Sequence, residues 1–301
     1  MHLKLLRRAA ALALSVLLVL SLSAPVFANT ARNEAETAFL AALAKLPHYQ
    51  AERAERYLAY LGSKEYTPEQ ILRIVNTNSD LPPYEDMEDV DTSYGILMLV
   101  NKHNYLDRYE PEELTDLGYY GSWGSMQSEA REAFATLVNA AAQDGCRIWA
   151  VSPYRSYDRQ KSIYSSYVNA YGGRSADTYS ARPGSSEHQT GLAVDVAKRG
   201  YSYKTFNGTK ECEWMQEHAH EYGFILRYGK GMDYITGYMY EPWHYRYVGV
   251  EVATYIYEHD LTFEEYYYYY VVGDETPGGA IVGKDAFEQA IKAIIEEARP
   301  V

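Results

Sequence analysis

The chain has 301 residues, 14% of them aromatic, and a formal charge of −13. So acidic a composition argues against nucleic-acid binding, which draws on clustered Lys and Arg, and against charge-driven adhesion to anionic lipid. The length suits one well-buried domain with additions, or two small ones.

Lys4, Arg7 and Arg8 open the chain, an apolar run follows from Ala9 to Leu22, and Val26-Phe27-Ala28 resembles a small-residue cleavage site. This is the three-part pattern of a secretory signal peptide. Residues 1–28 are read as a signal and the protein as exported, because the apolar run is short for a membrane span of about 20 residues. Any tie to the membrane runs through this segment, if it stays uncleaved. Taking its three positive charges from −13 leaves about −16 on the mature chain.

Residues 29–90 read as a helical N-terminal region. Phe39, Leu40, Leu43 and Leu46 share a face and Pro47 ends the run; a second helix is expected over 49–61, before Gly62. In "TPEQILRIV" Thr67 suits an N-cap, Pro68 the first helical position and Gln70 the far side of a capping box. An acidic, proline-containing connector then leads into the main domain, residues 91–271. Its expected order is a short strand in "GILMLVN" (95–101), a helix over 126–144 with Ala130, Phe134, Leu137, Val138 and Ala141 inward, and a strand in "CRIWAVS". A helix from Asp158 to Tyr171, a strand in "TGLAVDVA", a helix over 210–222, strands in "GFILRY" and "YMYEPWHYRYV" and a helix near 249–259 follow. Strands and helices mix without a repeating βαβ rhythm, which favours α+β with an antiparallel sheet. Residues 272–301 read as a loop and one amphipathic helix, with Phe287, Ala290, Ile291, Ile294, Ile295 and Ala298 on one face.

The segment "PGSSEHQTGLAVDV" (183–196) places His188 and Asp195 seven residues apart. On one straight strand they would point to opposite faces, and Gly191, Thr190 and Val194 argue against a helix. Both side chains reach one point only if the chain turns between them, and Gly191 tolerates the positive φ such a turn needs. Alone, the pair would suit an ordinary structural hydrogen bond. In "EPWHYRYV", however, Glu241 precedes His244 by three residues. His188, Asp195 and His244 make a three-ligand zinc set that leaves a fourth position for water, and Glu241 is a carboxylate suited to act as general base.

Ser186-x-His188-x-x-Gly191-x-Ala193-x-Asp195 followed by Glu241-x-x-His244 resembles the zinc D-alanyl-D-alanine carboxypeptidases of the VanY type, within the LAS metallopeptidases. "YRSYDRQ" (154–160) before the first motif and "YGFILRY" after it stand in the family's order, "LVNKHNYLDRYEPEEL" (99–114) resembles its opening segment, and the likeness covers about 95–262. The resemblance implies a central antiparallel sheet flanked by helices, of the hedgehog/DD-peptidase kind. It implies Zn2+ on His188, Asp195 and His244, Glu241 as catalytic base, and Arg155 facing the reaction centre. There a guanidinium would stabilise an oxyanion or grip a terminal carboxylate. Ser186 and Gln160 are expected to hydrogen-bond the substrate, a peptidoglycan stem peptide. Pro153 and Gly229 depart from the family pattern and bear on loop shape. L,D-carboxypeptidases and peptidoglycan endopeptidases share the scaffold, and a zinc-bearing wall-binding module without catalysis is the rival of another class.

Cys146 and Cys212 are the only cysteines, and in an exported chain a disulfide between them is expected. His218 and His220 are separated by about 200° on a helix and read as ordinary histidines. The run Tyr266 to Tyr270 reads as a strand or short helix packed at the domain edge, with stacking on wall sugars as its alternative.

Overall fold

A computed structural model describes residues 32–273. The signal segment and the C-terminal helix expected beyond Gly273 lie outside the described residues. The described chain divides between Asn76 and Thr77 into two compact units.

The first unit is helical: α1 (residues 32–43), α2 (Ala54–Leu58) and α3 (Pro68–Asn76). The Thr67 hydroxyl accepts from Gln70 N at 3.2 Å and the Gln70 amide oxygen accepts from Thr67 N at 2.9 Å, so the capping box forms. Leu43, Tyr57, Ile71, Leu72 and Val75 close its core. The expected helix over 49–61 is shorter, a 3-10 turn (Ala51–Arg53) running into α2.

The second unit opens with two small pairs: β1 (Glu88–Asp89) parallel to β2 (Asn104–Tyr105), and β3 (Leu114–Asp116) antiparallel to β4 (Ser125–Gln127). Then come α4 (Ser128–Gln143), β5 (Ile148–Ser152), α5 (Tyr157–Tyr171), α6 (Gly173–Ala176), β6 (Ala193–Lys198) and α7 (Lys210–His218). β7 (Phe224–Leu226), α8 (Asp233–Thr236), β8 (His244–Tyr247), α9 (Val250–Glu258) and α10 (Phe263–Tyr266) complete it. The central sheet is antiparallel throughout, in the order β5-β6-β8-β7.

Strand alternation divides the labour of this sheet. Val194, Val196, Tyr245 and Tyr247 join Ile148 and Ala150 in a core closed by the Ala130, Phe134, Leu137, Val138 and Ala141 stripe of α4. Phe134 meets Phe224 edge-on with centroids 6.0 Å apart; removing such a ring costs about 3–5 kcal/mol. The intervening residues, Asp195, His244 and Arg246, carry the polar chemistry, as a period of two dictates.

Three further expectations change. "GILMLVN" forms no strand: Thr92–Leu97 is a 3-10 segment kinked at Gly95, and the buried Met98, Leu99 and Val100 follow it. Its carbonyls are satisfied by a side chain instead of a sheet partner, since Arg246 donates from one guanidinium nitrogen to Ile96 O and Met98 O, each at 2.9 Å. Cys146 and Cys212 are free thiols, both buried, so the expected disulfide is absent. Strand β8 also begins only at His244, because Glu241 and Pro242 belong to the turn before it. The tyrosine run leaves α10 as a π-turn (Tyr267–Val271), and Tyr266, Tyr267, Tyr269 and Tyr270 are buried against Val252, Ile256 and Phe263. That is the packing reading; buried rings are not a sugar-stacking surface.

Candidate metal centre

Sheet register brings the site together. Asp195 on β6 pairs with His244 on β8 and, across the other edge, with Ser152 on β5. Directly opposed residues of antiparallel strands have Cβ atoms about 5 Å apart on one face. His188 arrives by the turn anticipated from its sequence. Glu187–Thr190 is a 3-10 segment that ends at Gly191, whose φ of 71° is left-handed and reverses the chain into β6.

The result is a compact donor set. His188 Nε2 lies 3.4 Å from Asp195 Oδ2, and His244 Nδ1 lies 3.1 Å from Asp195 Oδ1. One ligand atom from each of the three residues lies within 4.8 Å of the others, the one such group of three or more among the described residues. All three are buried. The outward ring nitrogens are tied back: His188 Nδ1 to Pro153 O at 2.9 Å, and His244 Nε2 to Glu187 Oε2 at 3.2 Å. A carbonyl and a carboxylate both accept, so with an ion bound each imidazole would keep its proton on the outward nitrogen and turn its lone pair inward. Two imidazoles and one carboxylate match the donor set of a catalytic zinc with three protein ligands, so the residues fit that ion.

The electrostatics follow from burial and partners. Burial disfavours an ionised Asp195, but the two imidazoles outweigh it and hold the carboxyl far below its usual range. Burial, reinforced by the Arg155 guanidinium, pushes His188 down. His244 is also penalised by burial, yet Asp195 and Glu187 on either side raise it to about 9. Glu241 stands 4.0 Å from His244 Nδ1, and burial pushes its carboxyl up to about 7, with the Asp195 charge adding to the rise.

Arg155 completes the inner wall. One terminal nitrogen donates to the Gln160 amide oxygen at 2.7 Å; the other donates to Ser152 Oγ at 2.8 Å and lies 3.6 Å from Asp195 Oδ2. Its backbone N–H donates to His188 O at 3.0 Å, lacing the "YRS" turn to the ligand turn. Pro153, a departure from the family pattern, thus contributes the carbonyl that fixes His188. The same groups border a cavity of about 770 Å³, along with Tyr203, Tyr238, Met239 and Trp243. Ser186 borders it too. Gln160 is buried, and its NH2 donates to Ala181 O at 2.6 Å, so both ends of its amide are engaged within the protein. His218 and His220 go to separate neighbours, Glu221 and the ring of Tyr257.

Sequence reasoning missed the charged layer beneath His244: Glu187, Arg227, Arg246 and Glu264, all buried. The available signal was an arginine in each of two largely apolar stretches, "FILRY" and "HYRYV", since a buried guanidinium requires an anion.

The family model for VanY, D-alanyl-D-alanine carboxypeptidase, matches residues 124–250. The carboxypeptidase candidate YodJ of Bacillus subtilis (strain 168) is 41% identical over 198 residues, 62% of this chain and 72% of that protein. Among solved structures, the LD-carboxypeptidase LdcB aligns with a TM-score of 0.58 at 42% identity, over 61% of this chain and 90% of that one. A mutant of the vancomycin-resistance D,D-pentapeptidase VanY, in complex with Zn(II), aligns with a TM-score of 0.51 at 36% identity, over 56% of this chain and 97% of that one.

Proposed function

The chain is a carboxypeptidase of the VanY family, and from that premise we propose that it is an exported zinc D,D-carboxypeptidase which removes the terminal D-alanine of peptidoglycan stem peptides. The observation that carries this reading is the convergence of His188, Asp195 and His244 beside the Glu241 carboxylate, on the wall of a cavity that Arg155 also lines. The sequence pattern of residues 1–28 supports export, and no helix among the described residues is long and apolar enough to cross a membrane.

His188, Asp195 and His244 would hold the ion. When bound, zinc supplies Lewis acidity and a water acidified to a pKa of roughly 7. Glu241 takes a proton from the attacking water and delivers it to the nitrogen of the departing D-alanine, so one carboxylate serves as base and then as acid. The Arg155 guanidinium, on the cavity wall, would stabilise the charge that the carbonyl oxygen gains. Gln160 and Ser152 fix the plane of that guanidinium, so Gln160 acts on the substrate through Arg155. Ser186, on the cavity wall, hydrogen-bonds the peptide. We assign the peptidase to the unit that begins at Thr77, so the connector over 77–90, with β1, belongs to it and the helical N-terminal region ends at Asn76.

Chelator-sensitive release of free D-alanine from a pentapeptide stem, restored by zinc, tests the reading. Glu241→Ala should keep zinc and lose turnover; His244→Ala should lose both. Near wild-type hydrolysis by Glu241→Ala would overturn the assignment of the base. A second reading, L,D-carboxypeptidase action, is favoured by the likeness to LdcB. Mass analysis of the products from tetrapeptide and pentapeptide stems separates the two.

A further inference from the structure

Beneath His244 lies a closed layer of charge that the reaction itself does not consume. Glu187 Oε2 faces His244 Nε2 at 3.2 Å. Its other oxygen, Oε1, accepts from Arg227 Nε at 2.8 Å and from an Arg246 guanidinium nitrogen at 3.1 Å. Arg227 donates its two terminal nitrogens to the Glu264 carboxylate at 2.8 and 2.5 Å. The side chains of Glu187, Arg227 and Arg246 have no solvent exposure, and that of Glu264 is 1% exposed. Two carboxylates and two guanidinium groups balance, which lets the layer exist in the interior at all. The two histidines are therefore held differently. His188 leans on a neutral backbone carbonyl, whereas His244 leans on an anion that two arginines fix in place.

We propose that Glu187 is a positioning residue which, through the Nε2–H of His244, presents His244 Nδ1 to the ion and sets how tightly the centre holds zinc. The inference rests on the zinc reading above. The division of labour between the two carboxylate oxygens gives it a sharp consequence. In Glu187→Gln the arginine donors claim the single amide oxygen, because an NH2 group cannot accept from them. The NH2 then faces His244 Nε2, donor against donor. Zinc binding through Nδ1 requires the proton on Nε2, so this isosteric change opposes the ligating tautomer directly. Glu187→Asp, by contrast, shortens the side chain by one carbon and keeps an acceptor-only group. Zinc affinity should therefore fall in the order wild type, Glu187→Asp, Glu187→Gln. A residue with only a packing role would reverse the last two, since glutamine preserves the volume.

Zinc affinity is measured by competition with a chromophoric chelator on the full chain, with thermal melts reporting the folded fraction. Glu187→Gln should bind zinc about 10- to 100-fold more weakly than wild type. Equal affinity, or weaker binding by Glu187→Asp than by Glu187→Gln, overturns the proposal. Should the glutamine variant fail to fold, nitrogen-15 NMR of the zinc-loaded wild type decides. His244 must carry a hydrogen-bonded proton on Nε2 and ligate through Nδ1; ligation through Nε2 overturns the proposal without any variant. A wild-type chain that binds no zinc defeats the zinc reading itself, an outcome distinct from both.

Discussion

Gly191→Ala is the substitution that couples local backbone geometry most directly to the metal centre. Gly191 sits at φ +71°, and an added Cβ would stand 3.0 Å from Leu114 Cδ2 and 3.3 Å from both Cγ and N of Gln127. The left-handed conformation costs an alanine roughly 1–2 kcal/mol. Crowding adds to this, because the backbone N–H of Gln127 donates to Gly191 O at 2.9 Å and its side chain donates to Thr190 O at 2.7 Å. Gln127 cannot retreat without loosening the turn, and overpacking of that kind costs about 1–3 kcal/mol. The sum is about 2–5 kcal/mol, a fall in Tm of roughly 4–20 °C for a unit of this size. Gly200 is the control: its φ is +87° and nothing lies within 4 Å of its Cβ position, so Gly200→Ala carries only the dihedral cost. Differential scanning calorimetry of both variants isolates the crowding, and chelator competition reads the displacement of His188. Gly191→Ala melting as high as Gly200→Ala, with zinc bound as tightly as in wild type, would refute the argument.

Arg155→Lys should lower kcat/KM by about 100-fold or more, because an ammonium cannot span Gln160 and Ser152 while donating to a developing oxyanion; steady-state kinetics with a pentapeptide stem measures it, and activity within a few-fold of wild type removes Arg155 from the mechanism. Both cysteines are buried and burial pushes their thiols up, so neither should react with a thiol reagent in the native protein and both should react in denaturant without reductant; mass spectrometry counts the adducts. Burial opposes ionisation of Asp177, but hydrogen bonds from Arg182 and Tyr164 hold its carboxyl below the usual 3.8. The stability it contributes is thus complete above that value and is lost as pH falls below it. In urea melts the penalty for Arg182→Gln should therefore shrink between pH 5 and pH 3, and an unchanged penalty refutes the linkage.

The parts of the fold and of the site that are legible in the sequence are those fixed by local rules. Thr67-x-x-Gln70 reads as a capping box because two backbone donors need acceptors at that spacing, and it forms. The period-3.6 stripe of α4 and the need for a reversal at Gly191 were legible for the same reason: each is dictated within a few residues. Non-local compensation was not legible. The apolar run 95–101 has the composition of a strand, yet Arg246 satisfies its carbonyls from 150 residues away in sequence. Nor does spacing reveal whether two buried thiols lie within bonding distance, so export alone does not predict a Cys146–Cys212 disulfide.

The distribution of the site over the fold separates the chemistry from the choice of substrate. Asp195 and His244 are opposed on two central strands whose register a one-residue slip would destroy, since it would turn every core residue of those strands outward. Metal position is thereby tied to the stability of the hydrophobic core, and core packing protects it. The rest of the cavity wall is loop and helix surface: Tyr203 before α7, Tyr238 and Met239 between α8 and β8, and Tyr167 and Tyr171 on α5. Those residues bear on peptide length and stereochemistry without touching the sheet, and Met239 and Tyr171 are exposed at 52% and 65%. Exchanging Met239 or Tyr171 should therefore shift the ratio of tetrapeptide to pentapeptide cleavage while zinc affinity and Tm stay near wild type. A change in zinc affinity as large as the change in that ratio would show that substrate choice and metal position are coupled after all.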